Sequence, residues 1–242
     1  MNPLDGIKYF LKGLRLIMSP GLRRYVVIPL TINTVIFIAA IWLGFAQIGD
    51  LIDWLMAKLP DWLQWLSWLL YVLFGLLCLL VVFFTFSLLA NIIAAPFNDL
   101  LCEAVAKSLA GDAIASNTDQ RPFIAQIVPS MLNETKKLVY FVGWSIPFLI
   151  LLVIPGINIV GSVLWFLFSA WMLNMEYMDY PMSGLRNIEF REQRAQLKKR
   201  KILSYSFGST VSAATLIPVL NFLVMPAAVA GATALWVDRY KE

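Results

Sequence analysis

Ile154-Pro155-Gly156-Ile157-Asn158 breaks a run of 38 uncharged residues, Leu138 to Met175, near its middle, and Ile217-Pro218-Val219-Leu220-Asn221 breaks a second run of 36, Ile202 to Val237. The shared Ile-Pro-x-apolar-Asn pattern returns after 63 residues. Each half-run is about 15 to 19 residues, or roughly 23 to 28 Å of helix, slightly short of a hydrocarbon core about 30 Å thick. The breaks therefore predict two helical hairpins that dip into a membrane and return. Lipid cannot satisfy the backbone groups of such a turn, so it must be buried or wetted, and Asn158 and Asn221 are placed to supply some of the bonds. Broken helices at repeat-related positions also point to permeation pathways, so a place in a pathway wall is the second reading for each asparagine, behind closing its turn.

Working outward, two earlier runs read differently. Tyr25 to Gly49 carries no charge and is long enough to span once, with Pro29 in its first turns, where a missing N–H costs least. Its polar exception is Asn33, either bonded to a neighbouring helix or lining a pathway. Trp62 to Asn98 is uncharged for 37 residues. Its centre, about Leu69 to Ala90, is the second span, with Cys78 packed inside it, and Asn91 and Pro96-Phe97-Asn98-Asp99 kink it or cap a new helix. Between the spans, Asp50 to Asp61 reads as a short acidic loop with Trp54, Trp62, Trp65 and Trp68 at the far interface. Ahead of them, Leu4, Ile7, Leu11, Leu14 and Met18 recur at helical steps beside Lys8, Lys12 and Arg15, the pattern of an interfacial amphipathic helix.

The expected fold is thus an all-α integral membrane protein in one membrane domain. It comprises an amphipathic helix and loop over 1–24, spans over 25–49 and 62–97, and hairpins over 138–175 and 202–237. A helical region of soluble composition fills 98–137, with a loop at Asp112 to Arg121 and a helix restarting near Pro122, and 176–201 is a basic segment. Composition agrees: 60% apolar residues, 14% charged and a mean hydropathy of +0.75 cannot be left in water. The net charge of +4 reads as a topology signal and not as nucleic-acid binding. Parity of crossings puts 1–24, 98–137, 176–201 and 238–242 on one side and 49–61 on the other. The first segment has five basic and one acidic residue, the third seven and four, and the isolated loop one and three, so the basic side is cytoplasmic. The N-terminus lacks the basic, apolar, small-residue order of a cleaved signal.

Several chemistries drop out. With no histidine and only Cys78 and Cys102, the chain has no ligand set for a metal or haem and no Cys-His pair, so neither metal nor cofactor is expected. No Gly-x-x-x-x-Gly-Lys-[Ser/Thr] phosphate loop occurs. No acid or base lies within the expected spans, which removes the usual proton-relay residues.

The stretch with positive chemistry is Met18-Ser19-Pro20-Gly21-Leu22-Arg23-Arg24-Tyr25. Two arginines stand where a membrane helix begins, behind a glycine that lets backbone approach a ligand, so a small oxyanion can be held there. The competing reading makes Arg23 and Arg24 lipid-phosphate anchors or topology determinants. Arg191, Arg194 and the run Lys198-Lys199-Arg200-Lys201 read as a solvated or lipid-facing basic face.

Ser19-Pro20-Gly21-Leu22-Arg23-Arg24 leading into Ile28-Pro29-Leu30-Thr31-Ile32-Asn33, with Ala95-Pro96-Phe97-Asn98-Asp99, Asp179-Tyr180-Pro181-Met182, Phe190-Arg191-Glu192-Gln193-Arg194, Phe207-Gly208 and Pro226 to Thr233, resembles the CysZ family of bacterial sulfate permeases. The likeness covers nearly the whole chain. It implies two long membrane helices and two partly inserted hairpins assembled as a dimer or larger oligomer. It also implies a multi-pass inner-membrane protein that brings sulfate into the cytoplasm for cysteine synthesis, surrounded by membrane lipids. Sulfate binding in that family maps onto Gly21, Leu22, Arg23 and the adjacent Arg24. A later copy, Ser183-Gly184-Leu185-Arg186, does not open into a membrane helix. Under this reading Asn33, Asn91, Asn98, Asn158 and Asn221 are guesses for pathway-lining residues. A non-transporting membrane scaffold is the alternative. A lipid-modifying enzyme ranks behind it, because Asp179 with Tyr180, or Glu189 with Arg191, matches no catalytic spacing.

Overall fold

The computed structural model describes residues 4–58, 67–111 and 123–240, and every regular element among them is helical. In chain order these are α1 (Asp5–Met18), α2 (Arg24–Met56), α3 (Ser67–Ala110), α4 (Phe123–Val153), α5 (Asn158–Asp179), α6 (Phe190–Lys199), α7 (Lys201–Thr215) and α8 (Pro218–Arg239), with a π-helical turn, Tyr180–Gly184, continuing α5. Among the described residues, four segments are long and apolar enough to cross a membrane: Arg24–Leu43, Leu132–Val153, Asn158–Gly184 and Leu220–Arg239. The chain is an all-α protein with membrane-spanning capacity.

It forms two compact units, residues 27–97 and residues 1–26 with 98–242. In the first, Pro29 and Pro96 lie inside helices without ending them. The helix running through Pro96 reaches Ala110, so that proline does not cap a new element. Likewise α2 continues past Asp50 to Met56. Leu51, Ile52, Trp54 and Leu55 keep apolar residues at helical spacing there, which outweighs the two acids that suggested a loop. Trp62, Trp65, the loop expected at Asp112 to Arg121, and Pro122 lie outside the described residues.

The second unit contains both hairpins. The first turns at Ile154–Ile157, where Gly156 takes φ +86°, and the second at Leu216 and Ile217, with Pro218 opening α8. Val153 and Leu216 at these tips are 81% and 79% exposed, and Ile159 and Phe222 are exposed beside them. Apolar tips suit hydrocarbon. The turns satisfy themselves through backbone: Asn158 N–H donates to Ile154 O (3.1 Å), Ile217 N–H to Ala214 O (3.2 Å) and Asn221 N–H to Ile217 O (2.8 Å). Satisfaction by asparagine side chains is therefore not what closes them. At 15 residues, or about 22 Å, α7 is the short arm. The other arms exceed their uncharged runs because they extend into charged residues at the mouths, among them Lys136, Lys137, Glu176 and Asp179.

Close backbone approach holds this unit together. Gly208 of α7 lies against the carbonyl of Ala170 in α5, and Gly13 of α1 lies against Ala227 and Gly231 of α8, so a methyl group at either glycine would collide with main chain. Around Gly231, Ala227, Ala228, Ala230, Ala232 and Ala234 are fully buried. The inward face of α1 is Gly6, Tyr9, Phe10, Gly13 and Ile17, while Leu4, Ile7, Leu11 and Met18, in the stripe read as interfacial, face outward. One helix thus presents one face to protein and another, apolar, outward.

Candidate functional site

The turn between α1 and α2 is made by Ser19. Its N–H and Oγ both bond Leu16 O (3.0 and 2.6 Å), ending α1, and its carbonyl then accepts the N–H groups of Leu22 and Arg23 (3.2 Å each). Two donors that a helix start would offer an anion are thereby used, leaving the N–H groups of Gly21 and Arg24 without a backbone acceptor among the described residues. Gly21 has φ +92° with nothing within 4 Å of where a Cβ would stand, so glycine is required by backbone conformation and not by crowding. Leu22 is buried and pins the turn.

Arg23 and Arg24 are both exposed. Arg24 Nη2 donates to Tyr25 Oη at 2.8 Å and its guanidinium lies 4.8 Å from that ring centroid, which orients the head group while leaving other N–H donors available. A cavity of about 650 Å³ opens beside it, walled by Pro20, Gly21, Leu22 and Arg24 and, from α3, by Leu100, Glu103 and Lys107. Leu185 of the later Gly-Leu-Arg copy forms part of the same wall. Gly21, Leu22 and Arg24 thus meet at one cavity, with Arg23 adjacent in the chain. Leu100, Glu103, Lys107 and Leu185 were not found from sequence; their distance along the chain hides them.

The asparagines do not gather there. Asn158 and Asn221 are exposed at the hairpin tips. The two hairpins are joined where Gly208 of α7 lies on Ala170 of α5 and Tyr205 packs on Trp171 at 5.5 Å. Asn98 is buried with Nδ2 unpartnered among the described residues. Asn33, in the other unit, has Oδ1 buried and unpartnered among the described residues. Asn91 lies in α3, and its side chain is outside the described set.

A charged network went unrecognised in the sequence. Lys137, whose side chain is 7% exposed, reaches Glu134 at 2.6 Å, Asp179 at 2.9 Å and Glu176 at 3.8 Å, tying α4 to the end of α5. The i,i+3 pairs Glu134–Lys137 and Glu176–Asp179 each put two charges on one helix face; only the fold brings them together. Nearby, burial and the carboxylates of Glu103 and Asp179 push Asp99 up to about 6. Cys102 is buried 3.2 Å from Thr233 Oγ1, and burial pushes its thiol up to about 12, far from thiolate chemistry at neutral pH.

With this geometry in place, comparison gives a consistent result. The family model described as Sulfate transporter CysZ/Etoposide-induced protein 2.4 matches residues 9–226, which include the α1–α2 turn and both hairpin breaks. A relative from Pectobacterium atrosepticum, named Sulfate transporter CysZ, is 45% identical over 240 residues, covering 98% of this chain and 86% of the relative.

Proposed function

We propose that this chain, which belongs to the Sulfate transporter CysZ/Etoposide-induced protein 2.4 family, conducts sulfate across the bacterial inner membrane into the cytoplasm, where its reduction feeds cysteine synthesis. It is a multi-pass transporter, and its work is passage and not catalysis. The observation that carries the reading is the full-length likeness to a relative named for sulfate transport.

Sulfate is first held by Gly21, Leu22, Arg23 and Arg24. Guanidinium offers an oxyanion paired N–H donors, and such charge-assisted bonds are about twice as strong as neutral ones. Lys107 adds positive charge to the cavity wall and Glu103 subtracts some, which keeps the hold loose enough for release into a conduction path. A divalent anion cannot cross bare hydrocarbon, so the path beyond is lined by polar protein groups, Asn33, Asn91, Asn98, Asn158 and Asn221 among the candidates, in a homo-oligomer. With no phosphate loop in the chain, flow runs down a gradient.

Sulfate influx into liposomes carrying the purified protein tests this. The proposal expects influx well above that of protein-free liposomes, driven by a sulfate gradient alone. The scaffold alternative expects none, and influx equal to the protein-free control would decide for it.

A further inference from the structure

Two adjoining cavities on the second unit share Tyr140 and Lys198. The outer, about 650 Å³, lies between α4 and α6, and its rim carries Lys136, Arg191, Arg194 and Lys198. The inner, about 310 Å³, is walled by Trp144, Phe148, Leu164, Leu167, Phe168 and Trp171, with Lys201 at its edge. One is a cationic mouth and the other an aromatic slot.

Both helices are written for this gradient. On α6, Arg191, Arg194 and Lys198 sit at i, i+3 and i+7, a single face. On α4, Lys136, Tyr140, Trp144 and Phe148 follow at steps of four, one column about 18 Å long from a cation to deep aromatic rings. Tyr140 stands at the junction, fixed by Phe190 at 5.8 Å edge-on and by the Arg194 guanidinium 4.9 Å from its ring centroid. Below it, Trp144 lies 6.3 Å from Phe148, which lies 5.1 Å from Phe168. The column falls within Leu132–Val153, a segment able to cross the membrane, so the slot belongs at hydrocarbon depth and the mouth at headgroup level.

The positive charge is poorly offset. Glu189 approaches Lys136 only to 3.7 Å with both side chains exposed, and Glu192 accepts from Gln196 Nε2 at 3.1 Å. Among the described residues no carboxylate pairs with Arg191, Arg194, Lys198 or Lys201.

We propose that this groove is a binding site for one anionic glycerophospholipid, its phosphate on Arg194 and Lys198 and an acyl chain along Trp144 and Phe148. A free oxyanion would use the mouth and leave the apolar slot empty; a phospholipid matches both. This site is separate from the Gly21 turn and does not depend on the sulfate reading.

Native mass spectrometry of the full chain in neutral detergent, titrated with phosphatidylglycerol, with phosphatidylcholine of the same acyl chains, and with inorganic phosphate, tests it. The expected result is a preference of about tenfold for phosphatidylglycerol, the order that a few basic side chains supply against an anionic headgroup. Arg194→Gln with Lys198→Gln is expected to abolish that preference. Lys198→Gln with Lys201→Gln, both at exposed positions and so neutral for folding, is expected to reduce it severalfold. Lys8→Gln with Arg15→Gln, the same charge change on α1, is expected to leave it intact. Equal binding of the two lipids, a preference indifferent to the groove variants, equal loss in the α1 variant, or displacement of lipid by millimolar inorganic phosphate would each overturn the assignment.

Discussion

Outside α1, which itself carries Gly13-Leu14-Arg15, Gly-Leu-Arg occurs twice in this chain, and these two copies become different objects. At Gly21 the backbone takes φ +92° in an open turn at the foot of α2, whereas Gly184 ends a π-helical turn with its backbone still helical. Leu22 and Leu185 are both buried, and both wall the same cavity. The arginines are exposed in both copies but face different rings: Arg24 lies over Tyr25, 4.8 Å from its centroid, and Arg186 over Trp236, 5.7 Å from its centroid. Identical tripeptides therefore do not make identical sites. Backbone handedness and the element that follows set what surrounds each guanidinium.

The sharpest way to break this contrast is to remove what holds the second copy. Lys137 bonds Asp179 at the end of α5, immediately before the π-helical turn. Lys137→Met leaves the carboxylates of Glu134, Glu176 and Asp179 without their shared cation. Breaking a buried pair costs about 3 kcal/mol or more, and the exposure of Glu134 and Glu176 reduces that to about 2 kcal/mol. The unfolding midpoint in detergent is expected to fall by roughly 4 to 8 °C. An unchanged midpoint would mean that the network anchors nothing.

Exchanging the glycines sharpens the contrast next. Gly21→Val forces a branched side chain to φ +92°, a strain of about 1 to 3 kcal/mol with no steric clash, so the turn rearranges while the fold persists. Sulfate influx is expected to drop about tenfold. Gly184→Ala, in open space and helical backbone, is expected to leave influx unchanged and to add about 0.5 to 1 kcal/mol of stability. Equal effects of the two changes would erase the distinction between the copies.

The smallest effect concerns pH. Asp99 is raised to about 6, above the value near 4 of an unfolded chain. The folded protein therefore keeps a proton that the unfolded chain releases over that interval, and this contribution to stability grows as pH falls from 7 toward 4. Comparing unfolding midpoints at several pH values, Asp99→Asn is expected to flatten the slope and to be slightly more stable than the parent at neutral pH. A parallel pair of curves would dismiss Asp99 as the titrating group.

How much of this was legible in the sequence follows from the range of the forces involved. The hairpin breaks were visible because Pro155, Gly156 and Pro218 act locally on their own backbone, and the turns fall where those residues stand. The turn at Gly21 was visible for the same reason. The inner face of α1 was not: Gly6 and Gly13 carry almost no hydropathy, and their role exists only against the backbones of α7 and α8. The cavity wall from Glu103, Lys107 and Leu185, and the reach of Lys137 to Asp179, depend on contacts between residues far apart in the chain, which no local pattern reports. Asp50 and Asp53 misled because charge suggested a loop where helical spacing continued.

Equilibrium binding of radiolabelled sulfate to the purified protein, compared between Arg24→Ala and Arg186→Ala, bears most directly on the first copy as the entry site. Losing charge-assisted bonds worth about 1.5 to 3 kcal/mol is expected to weaken binding about 10- to 100-fold for Arg24→Ala. Arg186→Ala, which removes a contact with Trp236, is expected to bind within twofold of the parent. If Arg186→Ala loses sulfate and Arg24→Ala keeps it, the anion site lies at the second copy, and the turn at Gly21 is not the entry site.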